Sequence, residues 1–424
     1  EVCELLIEKG AEIEAVDKDG VRTLMLAAQE GHKEVCELLI ENVAEIEAAN
    51  VVGIRALMLA AQEGQKEVCE LLIKKGAKVE AEKKDGVRAL MLAAYNGQKE
   101  VCKLLIENEE EIEASDSNGL RALMLAAQEG HKELCELLIE LGAEVEAANK
   151  DGKRALMLGA VKGHKEVCEL LIELGAEVEA ANKDGVRALM LAVQEGHKEV
   201  CELLIEKGAE VNAANKDGFR ALMIATHEGH KEVCKLLIEK GAEVEAANKY
   251  EARALMIAAE KGYKEVCELL IEKGAEIEAS NKDGFRALMI AAEKGHKKVC
   301  ELLIEKGAEI EASNGNGVRV LMIAAQEGRK EVCKLLIEKG AEIEASTKGG
   351  LRALMLSAIN GHKKVCELLI EKGAEIEAAN KCEARALMIA AFNGQKEVCE
   401  LLIEKGANVN LKNNWENTPL HITA

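Results

Sequence analysis

Aromatic side chains are nearly missing from this chain: one Trp, three Tyr and three Phe in 424 residues. The hydrophobic fraction of 48% is ample for a continuous core. Without aromatic volume that core must be packed from Leu, Ile, Val, Ala, Met and Cys, which implies closely approaching helices. Basic charge is also in deficit, with a net charge of -21. Nucleic acid and anionic membrane are therefore poor partners, because phosphate binding needs a basic stripe that displaces counterions. The excess acid reads most simply as solubility for a long chain. No apolar run approaches the ~20 residues of a membrane span. No nucleophile–base pair, phosphate-binding glycine loop or metal-ligand cluster stands out, so no catalytic residue, cofactor or metal is expected.

What the chain does have is a fixed period. Cys3, Cys36, Cys69 and so on to Cys399 recur every 33 residues with no insertion, and only Cys382 of the 14 cysteines falls outside the ladder. Such a period marks stacked repeats in which each unit touches its neighbours. Equivalent residues on stacked helices lie about 8–10 Å apart, whereas a disulfide needs Cα atoms at about 4.4–6.8 Å. Zinc needs four ligands converging within about 2.3 Å. The ladder thiols are therefore expected as small buried hydrophobes, which favours a reducing compartment and a cytoplasmic location.

One unit, Asn182 to Ala214, reads NKDGVRALMLAVQEGHKEVCELLIEKGAEVNAA. Asn182-Lys183-Asp184-Gly185 has turn chemistry. A short helix is predicted from Ala188 to about Gln194, ended by Gly196. A second runs from about His197 to Glu206, amphipathic through Val200, Cys201, Leu203, Leu204 and Ile205, with Gly208 as a left-handed cap. Neither helix is long enough to be stable alone, so stacking must supply the burial.

The turn, the two short helices, the G-H opening the second helix, the L-L-I-x-x-G-A segment and the 33-residue period resemble the ankyrin repeat over the whole chain. The resemblance implies an all-α fold: an ankyrin-type helix-turn-helix repeat solenoid with β-hairpin-like turns, elongated and curved. Residues 1–424 are expected to form a single solenoid, with 1–16 a partial repeat, 17–412 twelve complete repeats and 413–424 a second partial repeat. The chain lacks an initiator Met and opens inside a unit, which reads as a fragment or trimmed product. The family's T-P-L-H opening occurs once, at Thr418-Pro419-Leu420-His421. The twelve other units put Arg where Thr belongs and Met where His belongs, mostly as R-A-L-M.

Each ladder has two readings. The methionines, Met25 through Met388, form a core stripe or a soft-metal strip, and packing is the simpler. The arginines, Arg22 through Arg385, oppose a helix dipole and replace a capping hydroxyl. They are expected to pair with the preceding E-I-E or E-V-E carboxylates in a lattice, the alternative being a basic track for a polyanion. The histidines that open second helices alternate with Gln, Tyr and Arg, which suits a structural hydrogen bond better than a proton carrier.

The copies differ mainly at two positions. One follows the turn (Val21, Lys153, Phe219, Phe285, Leu351 and Ala384 among others), and one lies late in the first helix (Gln29, Tyr95, Val161, Glu260, Ile359 and Phe392 among others). The resemblance places turn tips and first helices on a concave, target-facing side. Tyr95, Phe219, Tyr250, Phe285, Phe392 and Trp415 fall at or beside these places and are candidate partner-binding anchors, although packing between adjacent turns would also explain them. Cys382, at a turn tip, is the candidate reactive thiol. Val43 and Glu109 replace the glycine that ends the second helix, so looser or reshaped junctions are expected there. The function expected is a non-enzymatic scaffold binding a protein partner of unknown identity through turn tips and first helices. The alternative is an architectural rod or spacer that self-associates end to end.

Overall fold

A computed structural model of the protein describes residues 1–423 and holds 26 helices and no strand among them. The chain divides into two units, 1–216 and 217 onward, each built of the same repeat. In the repeat read above, the first helix is Ala188–Gln194 and the second Lys198–Glu206, close to the bounds expected from sequence. The Asn182 side-chain oxygen accepts the N–H groups of Asp184 and Val186, both at 2.9 Å, which folds the turn around Gly185. The β-hairpin character of the turns is reduced to isolated bridges such as Ala181 to Arg187 and Ser280 to Arg286. In both units the tips are stitched to their neighbours by backbone bonds, for example Lys216 N–H to Asp184 O at 3.0 Å and Lys282 N–H to Tyr250 O at 3.3 Å.

The core of each unit is what the missing aromatics require. Every ladder methionine is only 1–3% exposed, which makes the stripe packing, and alanines such as Ala60, Ala93 and Ala258 are fully enclosed between adjacent first helices. Cysteines from Cys36 to Cys366 are buried, and all 14 are free thiols.

The arginine lattice is present and does more than pair charges. Arg187 sits at the N-cap in extended backbone without a capping side chain. Its Nε lies 3.0 Å from Glu179 Oε2, eight residues earlier at the end of the preceding repeat, while its Nη1 donates to Ala214 O at the end of its own repeat at 3.2 Å. The other oxygen of Glu179 accepts the N–H of Glu210, also in the repeat of Arg187, at 2.9 Å. One glutamate thus clamps its own repeat to the arginine and backbone of the following one. Unit 2 repeats the motif with Glu278 and Arg286, which reach Glu309 N–H and Ser313 O.

The histidine position is a second joint. His197 Nε2 donates to Val161 O of the preceding repeat at 2.9 Å, and its ring fills the space beside Gly163, where a Cβ would lie 2.6 Å from Nδ1. Gln65, Tyr263 and Arg329 fill the same gap beside Gly31, Gly229 and Gly295, so Tyr263 is a packing aromatic.

One expectation needs correcting. The junctions at Val43 and Glu109 are not reshaped: both residues keep the left-handed conformation, with φ of 72° and 71°. The capping bonds survive as well, as in Val43 N–H to Ile40 O at 3.0 Å and Ala44 N–H to Leu39 O at 2.9 Å. Packing on either side dictates the path, and the side chain bears a strain of about 1–2 kcal/mol.

Candidate binding surface

Unit 2 carries a cavity of about 470 Å³ made by three successive repeats. Its apolar lining comes from Leu351, Ile359, Met388, Ile389, Phe392, Trp415 and Ile422, with Asn380, Asn393, Asn413 and Asn417 among them. Leu351, Ala384 and Asn417 are equivalent positions after successive turns, and Ile359 and Phe392 are equivalent late positions of successive first helices. The two places where the repeats differ most thus contribute part of the lining, beside positions such as Met388 that hardly vary.

Local geometry fixes these side chains. Asn413 Oδ1 accepts the N–H groups of Trp415 and Asn417, both at 3.0 Å, which raises Trp415 to the tip of its turn. Asn380 does the same for Cys382 and Ala384, at 2.9 and 3.0 Å. The two tips are tied together by Asn414 N–H to Cys382 O at 3.1 Å. Glu383 and Glu416 occupy the glycine position of these turns with φ of 58° and 60°, and Glu251 does so beside Tyr250. Phe392 ends the helix Ala386–Phe392. The Ile359 carbonyl is held by Gln395 Nε2 at 3.0 Å, so the joint described above also fixes the end of the helix that brings Ile359 to the cavity. Phe392 remains 71% and Trp415 66% exposed, large apolar areas to leave in water.

A second cavity of unit 2, about 330 Å³, uses the same two positions with different chemistry. Phe285 and Ile290 form its apolar part, with Glu260, Glu293 and Asp283 as carboxylates and Lys294 as its one cation. Lys294 Nζ donates to Glu293 Oε1 at 2.9 Å, and that bond holds the ammonium pKa above its ordinary value.

Of the six aromatic anchors read from sequence, the structure brings Phe392 and Trp415 into one cavity and puts Phe285 in the other. Phe219 is half-buried. Tyr250 stands exposed at its tip. Tyr95, in unit 1, is exposed with its carbonyl held by His131 Nε2 at 2.9 Å. Sequence reasoning placed Leu351 and Ile359 at variable positions without choosing them as anchors, and it did not single out Ile389. The signal was there for Ile359, which stands where most units carry Gln or Glu.

The ladder thiols are chemically quiet: burial pushes Cys69, Cys201 and Cys300 up to about 12. Cys382 is exposed beside the cavity rim. A maleimide pulse on the native chain is therefore expected to label Cys382 far faster than the half-buried Cys3 and Cys399 and to leave the rest unmodified. Peptide mapping checks this, and even labelling along the ladder would contradict it.

Among the described residues no helix is long and apolar enough to cross a membrane. The family description of ankyrin repeats in sets of three copies matches residues 1–83, 57–149, 90–182, 145–215, 179–248, 244–314, 310–380 and 354–424. These overlapping matches span the whole sequence, and the chain belongs to the ankyrin-repeat family. Ankyrin repeats are generally protein–protein interaction modules, and the family is typically non-enzymatic. No curated protein matches the chain.

Proposed function

We propose that the chain is a scaffold that captures a basic segment of a partner protein on the turn tips and first helices of unit 2. A large apolar side chain of that segment enters the Phe392–Trp415 cavity. The observation that carries this reading is the cavity itself, an apolar space of about 470 Å³ lined in part by the variable positions of successive repeats and edged by two exposed aromatics. The preference for a basic segment follows from the net charge of -21 and from the carboxylates Glu260, Asp283 and Glu293 in the second cavity. Phe219 and Tyr250 serve as weaker contacts at other turns of unit 2. The many buried free thiols support a reducing, cytoplasmic setting.

Peptide display against the full chain tests the reading. Selected peptides are expected to carry one large apolar residue among Lys and Arg, and to lose at least about tenfold in affinity for the Phe392→Ala and Trp415→Ala variants, the loss typical of an anchor. Peptides that bind both variants as tightly as the parent chain would overturn it.

A further inference from the structure

One repeat of unit 1 lacks the Glu–Arg clamp. Glu80 lies eight residues before Arg88, as Glu179 lies before Arg187, yet the two are not paired. Arg88 Nη1 instead lies 3.6 Å from Glu110 Oε1 and 3.6 Å from Glu111 Oε2, and its Nε lies 3.9 Å from Glu82 Oε2. Glu110 occupies the slot that Ala77 and Ala143 fill in the neighbouring repeats, and its side chain is 0% exposed. Neither of its oxygens has a hydrogen-bond partner, nor do Arg88 Nε and Nη1. Glu80 borders an open cavity of about 510 Å³ with Lys78, Asn108 and Glu109, so its carboxylate has room to move.

We propose that Glu110 and Arg88 form a proton-operated clasp between two repeats: protonated Glu110 releases Arg88 to Glu80, closing the clamp seen elsewhere, and ionised Glu110 holds Arg88 away and leaves the clamp open. A carboxyl in an alanine slot is tolerated when neutral and costly when charged, because the pairing with Arg88 is long and unsupported by hydrogen bonds. Burial pushes the Glu110 carboxyl up to about 7. The Arg88 guanidinium opposes the shift, while Glu80 and Glu111 add to it. The other charged groups around the joint are Lys78, Glu82 and Glu109. Since the folded-state value lies above the ordinary one of 4.5, the closed joint keeps its proton between the two values. Its stability is therefore greatest at acid pH, falls as pH rises toward 7 and levels off above.

Hydrogen exchange of the full chain, corrected for the intrinsic pH effect, reads the joint directly. Segments within 76–121 are expected to open on the order of thirtyfold more at about pH 8.5 than at about pH 5.5, while the matching segments within 142–187 change little. Glu110→Ala, which restores the residue of the neighbouring repeats, and Glu110→Gln should both remove the pH dependence. Glu80→Gln should lower protection at about pH 5.5, where Arg88 would lose its acceptor. Unchanged wild-type protection between the two pH values, the same pH response in Glu110→Gln, or full acid protection in Glu80→Gln would each overturn the proposal.

Discussion

Alanine at Gly163 is expected to destabilise its part of unit 1 by about 3 kcal/mol, and alanine at Gly175 by only about 1–2 kcal/mol. Both glycines have positive φ, 80° and 102°, so both substitutions impose the left-handed penalty on a residue with a Cβ. Their surroundings differ. Nothing lies within 4 Å of a Cβ at Gly175, whereas one at Gly163 would lie 2.6 Å from His197 Nδ1. The ring must shift, and its bond to Val161 O is lost or stretched. A long repeat array need not unfold in one step, so local hydrogen exchange is the better readout than a single midpoint. Segments between 155 and 206 should lose roughly a hundredfold in protection in Gly163→Ala and about tenfold in Gly175→Ala. Equal losses would mean that the histidine joint contributes nothing.

The second large effect is expected at Glu179. Replacing it with alanine leaves Arg187 Nε, which has no other partner, without its counter-charge and leaves the Glu210 N–H without its acceptor. The charge-assisted bond from the Glu210 N–H is of a kind that contributes about 1.5–3 kcal/mol, so a loss of about 2 kcal/mol is expected. An exposed ion pair would give at most about 1 kcal/mol. The partial burial of this pair, at 23% exposure for Arg187 and 34% for Glu179, and the backbone bonds on both sides explain the larger figure. In the double variant Glu179→Ala with Arg187→Thr the loss should be smaller than the sum of the singles, since each single variant strands the other group. Strict additivity would show that the two side chains act independently.

The repeat itself was legible because period and helix signals agree at every level. Gly196 and Gly208 mark the helix ends, the Leu, Ile, Val, Met and Cys spacing marks the buried faces, and the Asn-Lys-Asp-Gly turn marks the start. What stacking decides was not legible. The sequence put a carboxylate eight residues before every ladder arginine except Arg220, which has Asn212 there, but did not reveal the backbone groups of the following repeat that complete the clamp. Val43 and Glu109 read as loosening or reshaping their junctions by local preference, and the neighbouring packing overrides that preference. Glu110 was visible within Asn108-Glu109-Glu110-Glu111, yet only the fold reveals that it fills an alanine slot. The cavity of unit 2 was half legible. Variation among copies pointed to two positions that contribute to its lining, but the meeting of Phe392 with Trp415 depends on the stacking of consecutive repeats.

Trp415 is the one tryptophan of the chain and lies in the cavity wall, so its emission reports occupancy without a label. Titrating the full chain with a display-selected basic peptide is expected to shift Trp415 emission to the blue with saturation. The midpoint should move at least about tenfold higher in Phe392→Ala. Saturable binding by an independent method, with no change in Trp415 emission and no effect of Phe392→Ala, would place the partner elsewhere and contradict the assignment of this cavity.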